Sequence, residues 1–117
     1  MDLAHGTLKL EVSMAEAAER SAPTLISKAR AACDAVDRCD LETAHRLANA
    51  VLFSPSAPAD PEATALASWA MALVARTRGQ RLAEIQALGT CAHASRQAGD
   101  EARTRAARER LRQISQA

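Results

Sequence analysis

The sequence predicts an all-α fold of five or six antiparallel helices. Three observations carry this. Of the 117 residues, 29 are alanine, the strongest helix former. Apolar residues recur at helical spacing through successive segments. Proline, glycine and capping residues interrupt these segments about every twenty residues, so successive helices turn back on one another. The length suits one domain with its own core, read as residues 1–117.

The first stretch, 1–21, is an N-terminal arm or helix. Leu8, Leu10 and Val12 alternate with polar residues as in a half-buried strand, whereas Leu8, Val12 and Ala15 also align on one helix face. The helical composition around them favours the helix. Ser13 followed by Glu16 is a capping-box pattern that starts a helix at Met14. Ser21-Ala22-Pro23 then breaks the chain.

A first helical hairpin is expected over 23–53. Leu25, Ala29, Ala32, Cys33 and Val36 form its first stripe, and Leu41, Ala44, Leu47, Ala48, Val51 and Leu52 its second. The loop from Ser54 holds three prolines before Glu62. It ends in Asp60-Pro61-Glu62: a capping residue, a proline suited to the first helical position, and an acid near the positive helix end.

A second hairpin is expected over 61–98. Leu66, Trp69, Ala70, Leu73 and Val74 line its first helix, with Trp69 read as a core anchor. Leu82, Ile85, Leu88, Ala92 and Ser95 line its second. Gly79 and Gly99 read as helix stops. A last, charged helix over 100–117, or a linker, has a narrow stripe of Ala102, Ala106, Leu111 and Ile114. It reaches Ala117 without a breaker, as expected of a segment leading into a longer chain.

Residues 25–56, "LISKARAACDAVDRCDLETAHRLANAVLFSPS", resemble one tetratricopeptide unit. Ala32 and Ala44 occupy its small positions, Cys39-Asp40 its tight turn, Ala48 a core position and Pro55 its end. Residues 62–98 are similar to a second, longer unit through Trp69, Ala72 and Gly79, departing at Glu84, where the pattern has alanine. Helical regions of this kind stand ahead of GGDEF-type signalling domains in bacteria. The resemblance implies tetratricopeptide-like hairpins in the regulatory or sensory region of a signalling protein, with a small helical bundle as the alternative fold. No GGDEF motif is present, so no cyclase activity is implied.

Fifteen basic and fourteen acidic residues give a net charge of +1, which directs the chain to neither nucleic acid nor membrane. No apolar run is long enough to span a bilayer. The polar start leads us to expect a cytoplasmic protein whose three cysteines are free thiols.

No catalytic, cofactor-binding or metal-binding residue is assigned. Cys33, Cys39, His45, Cys91 and His93 lack the close ligand pairs of zinc motifs. Cys91 and His93, two residues apart, diverge by about 200° on a helix. A Cys/His metal or redox sensor is the alternative these residues offer.

Arg105, Arg108 and Arg112 share one face of the last helix, but Asp100, Glu101 and Glu109 dilute the charge. Aromatic platforms for stacking bases are nearly absent, which argues against the other alternative, a nucleic-acid regulator. The expected function is a non-catalytic protein-interaction or dimerisation module. Partner contact, with a second copy as the expected partner, is assigned to Leu8, Leu10, Val12, Ala106, Leu111, Ile114, Arg105, Arg108 and Arg112.

Overall fold

Among the described residues, each helix begins at a side chain that satisfies its first free N–H groups, with one exception. In the computed structural model, which describes residues 24–116, α1 (Leu25–Asp37) is capped by Thr24, whose Oγ1 accepts from the Ser27 N–H at 3.1 Å. Asp40 caps α2 (Leu41–Leu52) through the Thr43 N–H, and the Thr43 side chain and N–H together hold its carboxyl below the usual carboxylate range. After a 3-10 turn at Ala57–Ala59, Asp60 caps α3 (Pro61–Thr77) through the Ala63 N–H, with Pro61 at the first position. Asp100 caps α5 (Glu101–Gln116) through the Arg103 N–H at 3.0 Å. Only α4 (Arg81–Gln97) starts without a side-chain cap. No strand occurs among the described residues. The expectations for Leu8, Leu10 and Val12 lie outside them.

Three connections are the same turn. Cys39, Gly79 and Gly99 take left-handed φ values of 61°, 70° and 75°. Their N–H groups donate to the carbonyls of Val36, Arg76 and Arg96, and the next residues donate to Ala35, Ala75 and Ser95. This is the glycine-type helix stop, used twice with glycine and once with cysteine.

The helices also repeat in register. α1 ends at Asp37 and α3 at Thr77; α2 begins at Leu41 and α4 at Arg81, both pairs forty residues apart. α1 pairs with α2 and α3 with α4, and α3 packs on α1, α2 and α4 together. The close packing of α5 is with α4.

The core between the hairpins is mostly methyl groups: Ala29, Ala32, Ala48, Ala63, Ala67 and Ala70 are fully buried around Val51. Such side chains let helix axes approach at the short end of the usual 8–10 Å range.

Two stripes differ from expectation. Leu82 is 77% exposed, because it matches Glu42 in the forty-residue register and so points outward from its hairpin. In α5 the buried residues are Thr104, Ala107 and Ile114, with Leu111 half-buried, while Ala102 and Ala106 are exposed. The helix is rotated from the expected stripe and lies along α4.

A Cβ at Gly79 or Gly99 would meet nothing within 4 Å, so substitution there costs backbone conformation alone. Cys39→Gly should raise stability by about 1 kcal/mol, and Gly79→Ala or Gly99→Ala should lower it by a similar amount. Urea unfolding midpoints at unchanged slope check this; an unmoved midpoint for Cys39→Gly would remove the strain assigned to that turn.

Candidate functional site

The forty-residue register sets the two inter-hairpin junctions side by side, and they differ in side-chain size. At the first junction Ala29 of α1 faces α3. Ala44 of α2 packs with Ala35 and Val74, and Ala70 is buried beside Ala29. At the second, the corresponding positions hold Trp69, Glu84 and Arg110. Ile114 stands where Val74 stood. Three alanines become a tryptophan, a glutamate and an arginine, each much larger.

The consequence is a groove. α1 and α3 approach closely, whereas α3 and α5 stand apart. Two adjoining recesses of about 280 and 270 Å³ open between them. Trp69, Leu73, Leu88 and Ala106 line the apolar end; Arg76 and Gln113 line both recesses.

Glu84 and Arg110 form the floor. The carboxylate is 5% exposed. Arg110 Nε donates to Glu84 Oε2 at 2.7 Å and Nη2 to Oε1 at 3.4 Å, a two-pronged pairing that pushes the guanidinium pKa further up. Arg110 Nη1 also donates to Gln113 at 3.4 Å. Nearby, Arg81 Nη2 donates to the Ile114 carbonyl at 2.7 Å and ties down the end of α5. A buried ion pair gives little net stability against apolar residues of similar volume. Its bulk, however, fixes the separation of the helices.

The thiols lie apart from this groove's polar floor. The Cys33 Sγ donates to the Leu66 carbonyl at 3.5 Å, and Cys91, fully buried, lies 3.7 Å from Ser95 Oγ. Burial pushes both thiols up, against the opposing effect of the Ser95 hydroxyl at Cys91. Protonated, enclosed thiols are poor nucleophiles. Cys39 is exposed in its turn. Among the described residues no group of three or more His, Cys, Asp or Glu side chains is placed to hold a metal ion, and no helix is long and apolar enough to cross a membrane.

A further recess of about 600 Å³ lies where the 54–60 loop meets α4, lined by Leu52, Pro55, Pro58, Thr64, Thr90 and His93. His93 is exposed there, and His45 is half-buried on α2. Phe53, next to Leu52, is 83% exposed.

The sequence-predicted partner residues on α5 divide. Ile114 and Leu111 turn toward α4, Ala106 faces the groove, and Arg105, Arg108 and Arg112 are exposed on a third face. Trp69, expected as a core anchor, packs against the core shared by α3, α4 and α5, and is half-buried with its open side on the groove wall. The signal for its role was its match to Ala29 forty residues earlier; Arg110 carried the same kind of signal against Ala70. Neither protein-family models, nor curated proteins, nor solved structures give a match to this chain.

Thiol labelling of the native protein should modify Cys39 within minutes, Cys33 far more slowly, and Cys91 only on unfolding. Peptide mapping after timed alkylation reads the order. Rapid labelling of Cys91 in the folded state would contradict the enclosure described.

Proposed function

We propose that this chain is a non-catalytic protein-interaction module, a tetratricopeptide-like stack acting as the regulatory or sensory region of a bacterial signalling protein. What supports the hairpin-stack reading is that α3 packs on α1, α2 and α4 at once. The observation that carries the interaction reading is the open second junction beside a closed first one. Holding two helices apart leaves part of an indole and a leucine wall uncovered beside charged groups. A protein surface gains from covering such a strip, because aromatic anchors flanked by polar rims carry much of binding energy.

The partner in this reading is a peptide segment presenting an apolar side chain to Trp69 and Leu73, with polar neighbours meeting Arg76 and Gln113. Self-pairing through Leu111 and Ile114 is not part of the proposal, since both turn to α4. A second copy that reached this helix would do so through the groove at Ala106.

A displayed library of random peptides tests this. Enriched peptides should shift the emission of Trp69, the only tryptophan. They should lose at least tenfold in affinity, about 1.4 kcal/mol, against Ala106→Arg, which fills the groove from an exposed position. No enrichment, or peptides that bind Ala106→Arg unchanged, would overturn the reading.

A further inference from the structure

The face of α5 that bears Arg105, Arg108 and Arg112 occupies a particular place in the repeat. In α3 the positions forty residues earlier are Ala65, Ser68 and Ala72, all buried, with Ala72 in one core cluster with Leu88 and Cys91 of α4. In α1 the equivalents are Leu25 and Lys28, both half-buried, and Ala32, buried. On α3, and in part on α1, this face is therefore covered by a neighbouring helix. On α5 the same positions carry three exposed arginines and receive no helix among the described residues. They border an open depression of about 650 Å³ together with Arg96, Glu101 and Glu109.

We infer that this face is a docking slot for an acidic α-helical segment of a partner protein. The inference rests on the interaction-module reading and adds a second surface to it. Shape comes from the register: all three positions are buried on α3, and the last of them on α1. Charge supplies the chemistry. Four arginines face two glutamates, and Glu109 already pairs with Arg112. Among the described residues no carboxylate lies within ion-pair distance of Arg96, Arg105 or Arg108.

An end face built only for solubility needs polar residues of mixed sign. This one is net basic, four arginines to two glutamates, and it uses arginine, whose planar fork pairs with carboxylates on two prongs. Steps of three and four residues put the guanidinium groups in one row, matching carboxylates spaced three and four apart on a facing helix. Their aliphatic stems add apolar contact for the partner's backbone side. Phosphate backbones would also meet the charge, but single-strand binders add stacking platforms. Trp69 lies in the groove between α3 and α5, away from this face.

The probe is a fluorescent alanine-based peptide of about twenty residues, long enough to hold a helix, with glutamates on one face at three- and four-residue steps. Its controls are a scramble with glutamates all round the helix and a mixed single-stranded oligonucleotide of equal charge. Anisotropy at about 50 mM salt, where charge contacts are strong, should show the patterned peptide binding at least tenfold tighter than both controls. Arg105→Gln/Arg108→Gln/Arg112→Gln should reduce it to the scramble's level, and Ala106→Arg should leave it unchanged. Circular dichroism verifies that the triple variant is folded; Arg108→Glu alone replaces it if not. Equal binding of the scramble, or an unaffected arginine variant, overturns the inference. An oligonucleotide that binds as tightly as the patterned peptide overturns it in favour of nucleic acid. Loss on Ala106→Arg alone moves the acid into the groove, which overturns the arginine slot and leaves the interaction module standing.

Discussion

The distance between two packed helices is set by the volume of the side chains between them, and this fold is organised by that constraint. Alanine contributes little buried area per residue, so its value at Ala29, Ala44 and Ala70 is geometric. It lets α1, α2 and α3 close on one another. Interiors pack at crystal-like density, so a larger side chain at such a point moves the helix rather than compressing its neighbours. Trp69, Glu84 and Arg110 occupy the corresponding points of the next junction, and α5 stands off from α3.

The opening does not leave α5 loose. It keeps a complete inner face on α4 through Ala107, Leu111 and Ile114. The Glu84–Arg110 pair and the Arg81 bond to the Ile114 carbonyl hold its second half. Both polar contacts are hydrogen-bonded ones whose partners would be costly to leave unmet. Glu84 and Arg110, two of the three large residues at the open junction, thus also fasten α5 to α4. One helix presents three distinct faces: core, groove wall and arginine row.

Much of this was legible in the sequence because helix ends are local chemistry. Asp60-Pro61, Gly79 and Gly99 mark their boundaries through capping and left-handed backbone geometry, which need no tertiary information. Helix faces were less legible. Leu82 and Ala106 fit a helical stripe, yet Leu82 points outward and Ala106 looks into the groove, because which face is buried depends on where neighbouring helices lie. In a chain so rich in alanine the stripe is broad and its centre poorly marked. The groove itself was written in the comparison of Ala29 with Trp69 and Ala44 with Glu84. That comparison requires the forty-residue register, which the helix boundaries supply once both hairpins are in place. Only the departure at Glu84 was visible beforehand.

Disulfide trapping measures the two junctions against each other in one molecule. Cys33 and Leu66 face across the first, and Leu73 and Ala106 hold the corresponding places across the second. In a Cys39→Gly background, Leu66→Cys should cross-link to Cys33 readily. Leu73→Cys/Ala106→Cys, with Cys33→Ala, should not, since a disulfide needs Cα atoms within about 7 Å. Adding Trp69→Ala, Glu84→Ala and Arg110→Ala should then bring the second pair into reach. Fast cross-linking of Leu73→Cys/Ala106→Cys without those three changes would contradict side-chain volume as the cause of the open junction.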